Sequence, residues 1–230
     1  MLGIIGAMEV EVEKLRGMMV DPKVRTVAGM TFCQGTIKGK EAVVVRSGVG
    51  KVNAGLCSQI LVDQYHVDGI INTGIAGSLR NEVNVGDIVL STTAVQHDVD
   101  ASGFGYQIGE IPQLGMKEFP ADEHLRTLAE KCCQKANPDI QTFTGRVASG
   151  DQFINNKEKK AWIRETFDAY CTEMEGAAIA QAAYLNQIPY LVVRAISDKA
   201  DDSANVDYKE FEAKAVEHSV RLIVSMLEEM

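Results

Sequence analysis

The chain has 230 residues, enough for one large α/β domain or two small ones, and its 46% hydrophobic content suits a globular protein. Its net charge of −9 argues against nucleic acid or an anionic membrane as partner, since either calls for a basic patch; a small nucleic-acid component stays open as substrate. The opening MLGIIGAMEVEVEKL turns acidic at Glu9 and does not read as a secretory signal, and no apolar run reaches the ~18 residues of a membrane span.

In chain order, LGIIGA (2–7) predicts a short buried strand and residues 9–19 a helix. On that helix Val12, Leu15, Met18 and Met19 share an apolar arc that also takes in Glu11, while Glu9, Glu13 and Arg16 lie opposite. TFCQGTI and EAVVVRSG flank a Lys38–Gly39 turn and predict a hairpin. A helix over 51–65 and strands over 68–74 and 86–95 follow, then a segment at 97–121 rich in Gly and Pro. An irregular stretch of that length is usually functional or contacts a partner. Beyond it come a helix (122–136), a strand (141–149), a helix (157–167), a helix from 175, a strand (189–197) and a last helix (207–229). No linker or repeat interrupts the alternation, so residues 1–230 read as one domain. It is expected to be a three-layer α/β/α sandwich around a mixed, mainly parallel sheet.

Several chemistries are poorly supported. The odd set Cys33, Cys57, Cys132, Cys133 and Cys171 has no C-x-x-C spacing and reads as free thiols in a reducing cytoplasm. Four histidines without H-E-x-x-H give no metal site. SGVGKVNAG misplaces the third glycine of a dinucleotide fingerprint, and Lys51 is followed by Val52 where a P-loop needs Ser or Thr. No cofactor is therefore implied.

The acids are more informative. Glu11 is either a first-turn acid answering the helix dipole or a functional group pointing inward at a strand end. TEMEGAAIAQAAYLN raises a sharper question, because Glu175 is the only charge from Met174 to Asn186 on a helix apolar nearly all round. A buried carboxylate needs a partner. Asp198 stands at the carboxyl end of the strand 189–197, where open α/β sheets place ligands, although an aspartate there is also a common turn residue. Three such acids with neither a basic partner nor a metal motif suggest a site that recognises hydroxyls and moves protons.

IIGAMEVEV, SGVGKVNA, NTGIAG, VGDIV, SGDQFI, TEMEGAAIA and VVRAISD occur in an order and spacing that resemble the bacterial 5′-methylthioadenosine/S-adenosylhomocysteine nucleosidases of the purine-nucleoside phosphorylase/uridine phosphorylase superfamily. The resemblance covers essentially the whole chain. It implies hydrolysis of methylthioadenosine, S-adenosylhomocysteine and 5′-deoxyadenosine to adenine and the substituted ribose, in methionine salvage. It also implies residue roles: Glu11 as the base that positions water, Asp198 as the acid for adenine N7 with Ser197 steadying it, and Glu175 as the ribose binder. Met174 walls the ribose, Phe153 and Ile154 contact the base, and Val49 and Met8 meet the sugar and 5′-thio group. Ala76 and Gly77 of NTGIAG join the substrate contacts, and Tyr208 stands at the 5′ cap. Phe104 and Pro112 correspond to residues lent to a partner's 5′ pocket, which implies a homodimer. Ile75, Ala101 and Tyr208 depart from the family's usual serine, valine and phenylalanine, and bear on preference among 5′ groups. An acidic run after the first strand, with only Arg46 and Arg194 as nearby cations, disfavours phosphorolysis. A futalosine-type nucleosidase remains the alternative, whereas a non-enzymatic protein on the same fold would be expected to have lost one of the acids.

Overall fold

The computed structural model describes residues 1–201 and 204–230, without the side chains of 205–210. In chain order its elements are β1 (Leu2–Gly6), α1 (Glu9–Gly17), β2 (Val20–Val27), β3 (Met30–Ile37), β4 (Lys40–Arg46), α2 (Lys51–Tyr65), β5 (Gly69–Ser78) and β6 (Ile88–Gln96). Then follow β7 (Glu118–Pro120), α3 (Glu123–Ala136), β8 (Thr142–Ser149), α4 (Lys157–Phe167), β9 (Ala169–Glu173), α5 (Gly176–Leu185), β10 (Tyr190–Asp198) and α6 (Ala204–Glu229).

β1 pairs in parallel with β4 and β5, and β5 pairs in parallel with β10. β2, β3 and β4 form an antiparallel meander at one edge. At the other side β10 pairs with β6, β6 with β8, β8 with β9, and β9 returns to β5, so the mixed sheet closes on itself. Alternate residues of the central strands face opposite layers, as the two-residue period of a strand requires. Ile4, Val44, Ile71 and Val193 pack with Val12 of α1, Ala129 of α3 and Ile223 of α6. Ile5, Val45, Ile70 and Val192 pack with Leu61 of α2 and Ile179 of α5 on the other face. Each such side chain, fully buried, contributes roughly 1.5–3 kcal/mol. The chain is thus an α/β/α sandwich about a mixed sheet.

Three strands escaped the pattern. β2 is exposed along almost its whole length and carries Pro22, as suits an edge strand; β7 and β9 are only three and five residues long. The 97–121 segment is also less irregular than expected, with a 3-10 turn at Ser102–Phe104, an Ile111–Met116 bridge and β7 at its end. α1 stops at Gly17, so Met18 caps it and is exposed rather than joining the apolar arc. Among the described residues no helix is long and apolar enough to cross a membrane.

Candidate active site

The carboxyl ends of β1, β4, β5, β8, β9 and β10 converge on one cavity of about 350 Å³. That volume suits a nucleoside-sized ligand. Glu11, Asp198, Glu175, Met174, Ser197 and Phe153 line it, as do Met8, Val49, Ala76 and Gly77. Ile75 also lines it, an apolar residue at the position where the resemblance implies a serine. Ile154 does not; its side chain packs with Leu79, Ile163 and Phe167. Phe104 and Pro112 are exposed and lie outside this chain's cavity. Tyr208's side chain falls outside the described residues.

Glu11 and Glu175 do have a basic neighbour, contrary to the reading that the three acids lack one. Arg194 projects from β10 and is fully buried; its Nη2 donates to Glu173 and to Asn72 and lies 3.9 Å from Glu175 Oε2. A buried guanidinium persists only where carboxylates and acceptors surround it. Gly74 of β5 makes room for this arrangement, because a Cβ there would collide with both Arg194 and Glu11. The signal was available: Arg194 is the one charge within the apolar run PYLVVRAIS.

Glu11 turns back from the first turn of α1. Its Oε2 accepts from the Ala7 and Met8 N–H groups at 2.7 and 2.9 Å, and its Oε1 from the Ile75 N–H at 3.1 Å. Burial pushes its carboxyl up from the ordinary value, while Arg194 and these three N–H donors hold it down. Glu11 thus caps the helix and also presents a carboxylate to the cavity. Glu175, just before α5, accepts from the Gly50 N–H at 2.8 Å. Burial raises it to about 7, with Glu173 adding to the rise and Arg194 opposing it.

Glu173 was not singled out in the sequence. Its Oε2 accepts from the N–H groups of Glu175 and Gly176 at 3.1 and 2.8 Å, and Ser149 donates to Oε1. It thus satisfies orphan donors at the start of α5, where a negative charge meets the helix dipole favourably. On the opposite strand end, Asp198 Oδ2 accepts from Ser197 Oγ at 2.8 Å and Oδ1 from the Ala200 N–H at 2.7 Å.

A second network fixes the loops around the cavity. Lys51 Nζ binds Asp98 Oδ1 at 2.5 Å and Gln96 Oε1 at 3.0 Å. Asp98 Oδ2 accepts from the Asp151 N–H, and Asp151 Oδ1 from the Lys51 N–H. The loop with Gly50, the start of 97–121 and the loop leading to Phe153 are joined in this way.

A family model described as the phosphorylase superfamily matches residues 1–228. A 5′-methylthioadenosine/S-adenosylhomocysteine nucleosidase of Bacillus cereus (strain B4264) is 43% identical over 231 residues, covering 100% of this chain and 99% of its own. The crystal structure of the corresponding Neisseria meningitidis nucleosidase in complex with methylthio-immucillin-A superposes with a TM-score of 0.96 at 35% identity, covering 100% of this chain and 99% of that one. The native structure of futalosine hydrolase of Helicobacter pylori strain 26695 gives 0.94 at 33% identity, covering 100% and 97%. On full-length similarity in sequence and fold, the chain belongs to the phosphorylase superfamily and, within it, to the 5′-methylthioadenosine/S-adenosylhomocysteine nucleosidases.

Proposed function

We propose that this chain hydrolyses the N-glycosidic bond of 5′-methylthioadenosine and S-adenosylhomocysteine, and of 5′-deoxyadenosine, releasing adenine and the 5′-substituted ribose. One observation carries the choice of hydrolysis over phosphorolysis. The charged floor holds Glu11, Glu173 and Glu175 around the single guanidinium of Arg194. That cation is already answered by carboxylates, and the surplus negative charge repels a phosphate dianion but accepts water.

In the proposed reaction Asp198 delivers a proton to adenine N7, and the N9–C1′ electron pair leaves with the purine. Ser197 and the Ala200 N–H fix the Asp198 carboxyl in place for this transfer. Glu175, held by the Gly50 N–H, accepts hydrogen bonds from the vicinal ribose hydroxyls. Positive charge growing at C1′ is stabilised by the carboxylates below it. Water attacks from the face opposite the base and gives its proton to Glu11, an inverting arrangement. Arg194 is a positioning residue that sets Glu173 and Glu175. Phe153 offers an aromatic wall to the base, Met174 one to the ribose, and Met8 and Val49 an apolar setting for the 5′-sulfur.

We infer that the whole chain works as one domain, in the cytoplasm, and as a homodimer in which Phe104 and Pro112 complete the neighbour's 5′ pocket. The likeness to futalosine hydrolase supports one other reading, with a different 5′ extension on the same acids. Release of the free purine base from methylthioadenosine, S-adenosylhomocysteine, 5′-deoxyadenosine and futalosine, with and without phosphate, tests the proposal. The expected product is free 5-methylthioribose at a rate indifferent to phosphate. A sugar 1-phosphate product would overturn hydrolysis, and release confined to futalosine would overturn the substrate.

A further inference from the structure

Adjoining the cavity, and sharing Ala7, Met8 and Val49 with it, is a second cleft of about 420 Å³. Its wall includes the turn between β2 and β3 at Ala28–Gly29 and the loop after β4, from Arg46 to Val49. Glu9 and Arg46 are its two charged residues. Their side chains are about half exposed, and Arg46 Nη1 stands 3.8 Å from Glu9 Oε2, beyond hydrogen-bond distance. Glu9 is fixed from its other oxygen, since Arg16 Nη1 donates to Oε1 at 2.7 Å while Arg16 Nη2 holds the Thr31 carbonyl. The Val49 carbonyl is in turn pinned by Asn53 Nδ2 at 2.7 Å. The cleft therefore offers one anion and one cation side by side, on anchored backbone, next to the residues proposed to meet the 5′-sulfur.

We propose that this cleft receives the zwitterionic α-amino-acid end of S-adenosylhomocysteine, with the carboxylate at Arg46 and the ammonium at Glu9. The inference rests on the nucleosidase reading given above. Three bonds separate the sulfur of that substrate from its α-carbon, a short enough reach for a tail passing Met8 and Val49 to bring both charges into the cleft. Leaving either charge without a partner near protein would forfeit hydration, and the adjacent opposite charges restore it for both. The methyl group of methylthioadenosine ends at Met8 and Val49 and makes no use of the cleft. Arg46 and Glu9 thus set the balance between the two substrates, separately from the bond-breaking groups.

The test measures kcat/KM for S-adenosylhomocysteine and methylthioadenosine and follows their ratio. Arg46→Met is expected to move the ratio about three- to tenfold against S-adenosylhomocysteine, the scale of a half-exposed charge pair, and added salt to narrow the gap. Arg46→Lys should restore most of the preference, showing that a cation rather than the packing of the stem is needed. Glu9→Gln should lower the ratio for S-adenosylhomocysteine but leave it unmoved for an analogue lacking the ammonium. A ratio that stays within about twofold in both Arg46→Met and Glu9→Gln overturns the assignment while leaving the nucleosidase reading intact. Failure of the unaltered protein to release adenine from either substrate overturns that reading, and the cleft's role with it.

Discussion

At the scale of single residues, the proposed mechanism separates the acid from the sugar grip. Asp198→Asn preserves size and still offers hydrogen bonds to a purine, but it has no proton to give N7. Its kcat is expected to fall by about 10²–10⁴-fold, or further where the leaving group depends wholly on that proton, with nucleoside binding largely kept. Near-normal kcat across pH 5–9 would make Asp198 a turn residue only. Glu175→Gln should weaken substrate binding and slow cleavage together. It should also change the pH dependence of stability. Burial raises Glu175 to about 7 in the folded chain from the ordinary 4.5 of a glutamate. The folded state then holds this proton more tightly than the unfolded state. Its stabilising effect is complete below about pH 4.5 and is lost as pH rises through about 7. Across that window the ligand-free protein should lose ~1–3 kcal/mol relative to Glu175→Gln, read by thermal unfolding. Parallel curves would place the buried proton elsewhere. The three acids were legible because Glu11 and Asp198 stand beside strands read from the sequence and Glu175 is the one charge on an apolar helix, places where a charge is conspicuous. The pairing of Glu173 with Arg194 was not, although Arg194 was counted among the nearby cations, because their roles depend on each other across the sheet. Neither explains itself until Arg194 is seen to be buried and in need of carboxylates.

At the scale of elements, the site is a set of strand ends held in register by close backbone approach and by loop-to-loop hydrogen bonds. Gly74 shows the first device, since β5 carries no side chain where Arg194 and Glu11 press against it. Gly74→Ala is expected to destabilise the fold by roughly 1–3 kcal/mol, as overpacking does, and to displace the Glu11 carboxylate; an unchanged melting temperature and kcat would contradict the packing described. Lys51 shows the second. Lys51→Met removes the cation that joins Asp98 to the loop around Gly50, and so loosens the N–H that fixes Glu175. KM should rise and kcat fall by about tenfold or less, with Lys51→Arg recovering part of both, since the half-buried Asp98 keeps a charged partner. Equal kinetics in Lys51→Met and the unaltered chain would leave the network without a part in the site. Sequence periodicity located the long apolar strands and the helices between them, because each carries its own pattern of burial. β9 and β7 were lost because three to five residues give too short a pattern, and β2 because an edge strand open to solvent has no apolar face to show. The return of β9 to β5, which closes the sheet, is a pairing between Ser78 and Cys171 that no local pattern encodes.

At the scale of the whole molecule, one chain leaves much apolar surface without cover on the side of α2 and the 97–121 segment. Phe104 is 88% exposed, and α2 turns out Val52 and Leu56, one helical turn apart. Tyr184 and Leu185 are exposed on α5, which joins α2 through the Gln59–Asn186 hydrogen bonds. Apolar residues gathered in this way mark an interface more often than a free surface. The segment is moored to its own chain at Asp98, where Lys51 holds it, and at Glu118–Pro120, where β7 pairs with β6. Between those moorings Phe104 and Pro112 are presented outward. The occupant we propose for both the α2 face and the projecting segment is a second copy, because a two-fold contact puts the same patch on each side. We therefore expect a dimer in sedimentation at assay concentrations. Val52→Lys combined with Leu56→Lys should shift it to monomer, since two charges facing their own copies across a two-fold contact are desolvated and repel. Activity should fall at least tenfold with dissociation, because each 5′ pocket then lacks its borrowed wall. Phe104→Ala should instead leave the dimer standing and raise KM for methylthioadenosine more than for adenosine, which has no 5′-thioether to contact. A fully active monomer would rule out the shared site. A dimer whose Phe104→Ala variant treats the two nucleosides alike would keep the interface but remove Phe104 from the pocket.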